Sequence, residues 1–76
     1  MPEKFNTDIS ERIAVDTFGH YKISTVLLKN TLTTYGNYET MILFKGEFLD
    51  YQERCDTLGQ ARMQHENAIS YVMARE

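Results

Sequence analysis

The hydrophobic pattern of this chain changes period once, and late. Up to Cys55 the apolar and β-branched residues alternate; from Thr57 onward they recur at helical spacing, placing Leu58, Ala61, His65, Ala68, Ile69, Val72 and Met73 on one stripe. Alternation sends successive side chains to opposite faces of a sheet, whereas helical spacing gathers them on one side of a cylinder. The chain therefore reads as an α+β fold: a three- to four-stranded antiparallel meander sheet with one C-terminal helix packed on one face.

The elements follow from their punctuation. Arg12 to Thr17 alternates, with Ile13, Val15 and Phe18 expected on one side, and Gly19-His20 supplies a tight turn. Tyr21 to Leu28 is rich in β-branched residues and is the central strand, with Tyr21, Ile23, Thr25 and Leu27 on one face and Lys22, Ser24, Val26 and Leu28 on the other. Lys29 to Asn37, reading KNTLTTYGN, is a long connection that exposes Tyr35. The strand YETMILF, residues 38–44, turns at Lys45-Gly46 into EFLDYQERC, residues 47–55. Residues 1–10 show no period and read as an N-terminal arm that is flexible or docks through Phe5 and Ile9, leaving residues 11–76 as a single domain.

The helix start carries a capping box, in which the Thr57 hydroxyl accepts from the Gln60 N–H while the Gln60 side chain reaches back. Gly59 in the first turn costs about 1 kcal/mol relative to Ala, which suggests a close approach or a strained turn there. One helix covers one face of a sheet, yet the strands carry apolar residues on both: Ile42 and Phe44 on one face, Met41 and Leu43 on the other. The second face calls for a lid, because monomers rarely expose apolar patches beyond a few hundred Å². A domain of 76 residues buries only about 60% of its unfolded surface, and a lone Cys55 cannot bridge internally, so a homodimer is expected.

Charge excludes some partners. Eight basic and eleven acidic residues are scattered through the chain, for a net charge of −3, with no Lys/Arg cluster to follow a phosphate backbone, so no direct nucleic-acid contact is expected. The acidic residues Asp50, Glu53 and Asp56 are too sparse for a nucleic-acid mimic. The stretch MPEKFNTDIS has no apolar leader core, and nothing approaches the roughly 20 apolar residues of a membrane span, so the expectation is a soluble protein without a membrane partner, working in a reducing cytoplasm.

The chemistry centres on His65, the polar member of the helical stripe. If the helix lies on the face bearing Glu39 and Met41, His65 meets the Glu39 carboxylate, with a hydroxyl of Ser24 or Thr25 as third member. Buried polar groups must pair in any case, and a one-residue slip would turn Glu39 away, so the cluster reads as internal hydrogen bonding before catalysis. His20 sits alone in a turn. Cys55 reads as a packed, inert thiol, since only Arg54 stands near to stabilise a thiolate. Phosphate loops, nucleophile elbows and paired-cysteine zinc patterns are absent from the sequence, so no catalytic residue, metal ligand or cofactor is assigned. Tyr35, Tyr38, Tyr51, Tyr71, Phe44 and Phe48 fit anchors for a protein surface better than base stacking, which lacks basic partners here.

The segments ISTVLL (23–28) and YETMILF (38–44), with the Ala61-x-x-x-His65 step, resemble a family of short uncharacterised bacteriophage and prophage proteins. Ser24, Thr25 and Val26, then Glu39, Thr40, Met41 and Phe44, carry the resemblance; Gln64 stands where members often have Gly. The resemblance implies a viral origin and groups Glu39, Thr40 and His65 as one site. With Tyr35 and Tyr38 these form the expected binding residues of a non-enzymatic accessory protein that docks on and modulates a host protein, in counter-defence or host takeover. The alternatives are a module sequestering a small ligand or nucleotide in a His65/Glu39 pocket, and a minor virion or assembly component.

Overall fold

The structure, a computed structural model, describes residues 9–28 and 37–75. The expected docking of Phe5 and exposure of Tyr35 lie outside the described residues. Four strands, β1 (Ile9–Phe18), β2 (Tyr21–Leu28), β3 (Tyr38–Phe44) and β4 (Glu47–Cys55), form one antiparallel sheet in the order β1-β2-β3-β4, followed by α1 (Leu58–Arg75). This is the α+β meander with a single helix on one face. β1 starts at Ile9, inside the segment read as an arm. Among the described residues no helix is long and apolar enough to cross a membrane.

Two short turns set which residues face the helix. Gly19 has φ 60° and His20 a negative φ, the pattern of a two-residue hairpin with glycine first, and it pairs Phe18 with Tyr21. At the other hairpin Lys45 (φ 54°) and Gly46 (φ 85°) are both left-handed and pair Phe44 with Glu47. The turns are stitched together by the Lys45 N–H, which donates to the His20 carbonyl at 2.9 Å. Cross-strand pairing then places Ile23 beside Ile42 and Thr25 beside Thr40 on the helix side, with Asp16 next to Ile23 and Ala14 next to Thr25.

The helix therefore covers the face of Thr40 and Ile42, not that of Glu39 and Met41 as expected. Both faces of β3 are apolar enough to attract a helix, so strand composition alone could not decide; the β2–β3 pairing brings two β-branched side chains together under small helical residues. Ile23, Ile42, Ala68 and Val72 form the buried centre, with Phe18, Tyr21, Leu49, Tyr51 and Ile69 packed around it. The helical stripe is narrower than expected: Ala61, Gln64, His65, Ala68 and Val72 are buried, while Leu58 and Met73 lie exposed at its ends.

Bulges rearrange both outer strands. In β1 one extra residue, Ile13, sits between the Arg12–Val26 and Ala14–Thr25 pairs; beyond it alternation is regular, so Val15 and Phe18, three positions apart, fall on opposite faces, Phe18 in the core and Val15 exposed on the other side. In β4 the residues Leu49, Asp50 and Tyr51 stand against Ile42 alone. Two extra residues preserve the alternation, so Leu49 and Tyr51 still reach the core while Phe48, Asp50 and Gln52 point away.

The capping box forms with a changed partner. The Gln60 N–H donates to Thr57 Oγ1 at 3.1 Å, and Gln60 Oε1 accepts from the Asp56 N–H at 3.2 Å, one residue earlier than the box requires. At Gly59 a Cβ would meet nothing within 4 Å, so the glycine answers no close approach. Gly59→Ala is expected to stabilise the fold by up to about 1 kcal/mol, raising the thermal midpoint by about 4–8 °C per kcal/mol. An unchanged or lowered midpoint in calorimetry would show that the first turn needs glycine for another reason.

Candidate functional site

Beneath the N-terminal half of α1 the core is polar. Asp16 comes from β1, Thr25 and Thr40 stand side by side on β2 and β3, and His65 and Gln64 descend from the helix. Asp16 Oδ2 lies 2.8 Å from His65 Nε2, His65 Nδ1 lies 2.6 Å from Thr25 Oγ1, and Thr25 Oγ1 lies 2.6 Å from Thr40 Oγ1. Gln64 Nε2 completes the series by donating to Thr40 Oγ1 at 3.0 Å and to the Glu53 carbonyl at 3.2 Å.

The donors and acceptors allow one direction for a neutral ring. A carboxylate oxygen only accepts, so Nε2 carries the imidazole proton and Nδ1 must accept. Thr25 then donates to His65, Thr40 donates to Thr25, and the Gln64 amide donates to Thr40, so each hydroxyl gives one bond and receives one. Contact with the Glu53 carbonyl fixes the Gln64 amide, because only its nitrogen can donate there. The series spans the sheet from Asp16 on β1 to Glu53 on β4.

Carboxylate, imidazole and hydroxyl stand here in the order of a nucleophilic triad. The resemblance ends at burial. Thr25 is 0% exposed and Thr40 likewise, and the Thr25 oxygen is already engaged on both sides, so no substrate carbon can reach it. His65 is 5% exposed; solvent meets the series only at its ends, through the half-exposed Asp16 and through the β4 side. A cleft of about 230 Å³ between β1 and α1 has Asp16 and His65 in its wall, and another of about 310 Å³ between β4 and α1 is lined in part by Gln64 and Cys55.

The sequence-expected residues separate. Thr40 and His65 do belong to one cluster, joined through Thr25 rather than directly. Glu39 does not: it lies on the sheet face away from the helix, where Gln52 Nε2 donates to its Oε2 and Arg54 Nε approaches the same oxygen at 3.3 Å. The expected His65/Glu39 pocket is thus replaced by Asp16–His65, because alternation along β3 sends Glu39 and Thr40 to opposite faces. Tyr38, paired with Leu27 and Cys55, is on the helix side and half-buried; Tyr35 is outside the described residues. Ser24 pairs with Met41 on the helix-free face and takes no part. Asp16 and Gln64 were missed. The Gly19-His20 turn could have found Asp16, by pairing residue 16 with 23; Gln64 follows Ala61 by three positions and precedes Ala68 by four, so it shares their face.

No group of three or more His, Cys, Asp or Glu among the described residues could hold a metal ion. Burial pushes the Cys55 thiol above its ordinary range, a backbone hydrogen bond from Thr57 offsets part of this, and Asp56 and Glu53 push it up further. The Tyr51 hydroxyl is raised as well, first by burial, then by Glu53, to which it donates at 3.4 Å. No family model, curated protein or solved structure matches the chain.

Two outcomes follow from this geometry. Thr25→Val, which keeps the shape and deletes the hydroxyl, strands His65 Nδ1 and Thr40 and should cost about 1–3 kcal/mol in urea unfolding; nitrogen NMR of the wild type should show His65 protonated at Nε2 and bare at Nδ1. For Cys55, the raised thiol means less thiolate at neutral pH than in a free cysteine. Iodoacetamide should therefore label it more slowly than glutathione, and the gap should close as pH rises through the thiol range.

Proposed function

We propose that this is a small non-enzymatic binding protein, a phage-type accessory protein that docks on a host protein and modulates it, with the helix-free face of the sheet as its contact surface. The observation that carries the reading is Phe48, 56% exposed on that face. Leu43 is its cross-strand partner and Met41 lies one pair further along β3, while Val15 is exposed on the far strand β1, beyond Lys22 and Ser24. No described element covers Phe48, and a large apolar side chain left open on so small a domain fits a protein contact. A viral origin and a host partner rest on the resemblance of the Ser24–Val26, Glu39–Met41 and Ala61–His65 motifs to short phage proteins.

The sealed hydroxyls of Thr25 and Thr40 support binding over catalysis. The cluster that has the order of a catalytic triad is positioned to hold the helix on the sheet, and its reactive end faces the interior.

Phe48→Asp places a charge in the patch without touching the helix-side core. The expected result is that the tagged wild-type chain retains a protein partner through purification from the host, whereas Phe48→Asp, still folded by circular dichroism, loses it. Met63→Asp, on the exposed side of α1, should retain it. Equal retention by all three chains would overturn the choice of surface.

A further inference from the structure

The buried series under α1 points its protons one way, and we propose that this makes it a proton-triggered latch: a second proton on the His65 ring reverses the bonds from Thr25 to Gln64 and releases Gln64 from β4. For the neutral ring every donor is spent in the same direction. The Gln64 amide donates to Thr40, Thr40 to Thr25, Thr25 to His65 Nδ1, and His65 Nε2 to Asp16. The other proton of the Gln64 amide goes to the Glu53 carbonyl at 3.2 Å, which ties the helix to the outer strand.

A charged imidazole donates from both nitrogens, so Nδ1 no longer accepts from Thr25. Thr25 Oγ1, 2.6 Å away, then receives from the ring and turns its own proton to Thr40 Oγ1, its other neighbour at 2.6 Å. Thr40 must redirect in turn. Its remaining side-chain partner among the described residues is Gln64 Nε2, which stands at 3.0 Å and accepts nothing. Thr40 is 0% exposed, so water does not take the stranded proton. Half a turn of the Gln64 amide answers Thr40 with Oε1. The same half-turn sets Oε1 where Nε2 had been, 3.2 Å from the Glu53 carbonyl oxygen, and two acceptors at that distance repel. Relief of the buried hydroxyl and retention of the tether to β4 therefore exclude one another.

The proton enters at the opposite end. Solvent reaches the Asp16–His65 pair through the cleft between β1 and α1, where Asp16 is half-exposed and Arg62 and Glu66 share the wall. These three are the charged groups around the ring from β1 and α1. From β2 and β3 it meets the hydroxyls of Thr25 and Thr40; β4 carries Glu53, whose carboxylate accepts from Tyr51, and Tyr38 and Cys55 stand one row further along. The released end lines the second cleft, where Glu53, Cys55 and Gln64 border the space of about 310 Å³ between β4 and α1. A proton taken up at β1 is thus read at β4, across the width of the sheet.

The test is a pH titration of the isotope-labelled full chain by NMR, in a His20→Gln, Glu53→Gln background. His65 is then the one histidine, and the carbonyl of residue 53 has no titrating side chain of its own. The ring nitrogens report when Nδ1 gains its proton; the Gln64 carboxamide and the residue-53 carbonyl carbon report the latch. The expected result is that both latch signals move along the His65 curve with the same midpoint. Thr25→Ser, which keeps a hydroxyl, should preserve this coupling, and Thr25→Val should abolish it, His65 changing charge while Gln64 stays still. Three results would each overturn the inference: an Nδ1 that stays bare at every pH at which the chain is folded, latch signals that do not follow His65, or a coupling that survives Thr25→Val. If Thr25→Val does not fold, the first two decide alone.

Discussion

The hydrogen-bonded series from Asp16 through His65, Thr25 and Thr40 to Gln64 is the interaction on which the placement of the helix depends. Its energetic weight comes from the cost of failure. A buried hydroxyl or ring nitrogen contributes about 1 kcal/mol when paired and costs about 1–3 kcal/mol when left bare, so each link penalises any shift of α1 that breaks it. The apolar half of the interface, Ile23 and Ile42 against Ala68 and Val72, is small and smooth. Such a surface tolerates sliding by a fraction of a turn; four side chains with fixed donor directions do not. The apolar contacts supply the attraction, and the polar series supplies the register of helix on sheet.

That division follows from the turns. A two-residue hairpin admits one pairing, and through it Gly19-His20 decides that Asp16 shares a face with Ile23 and Thr25. Had the connection held one residue more, Asp16 would point to the helix-free face and Val15 to the core, leaving His65 Nε2 without its carboxylate. The two-residue insertion in β4 obeys the same arithmetic. It bends the outer strand yet keeps Leu49 and Tyr51 on the core side, because an even insertion preserves alternation. Within each hairpin, pairing and face are thus set by a few residues with left-handed backbone angles.

Much of the fold was legible for this reason. Tyr21–Leu28, Tyr38–Phe44 and Glu47–Cys55 are bounded by glycine turns or a change of period, and the sequence boundaries coincide with the strands. The candidate site was only half legible. His65 announced itself as a polar residue on an apolar stripe, and Thr25 as a hydroxyl on the central strand. Glu39 was the attractive carboxylate because it lies in the same short motif as Thr40, but adjacency along a strand means opposite faces. The decisive pairing between β2 and β3 is set across a long connection, with no turn chemistry from which to count. The β1 stripe misled for a simpler reason: Val15 and Phe18 are three positions apart, an odd spacing that alternation sends to opposite faces.

The two faces of the sheet show contrasting solutions to one problem. Toward the helix, Thr25, Thr40 and His65 are enclosed and hydrogen-bonded to one another, and the series opens to solvent at Asp16. Away from it, Val15 and Phe48 are exposed, while Glu39 is neutralised by Arg54 and hydrogen-bonded by Gln52. A surface with its interior charge already paired loses little on desolvation, because the costly step of burying an uncompensated carboxylate has been avoided within the chain. The same small domain thereby encloses its hydroxyls and imidazole on one side of the sheet and leaves apolar side chains such as Phe48 open on the other.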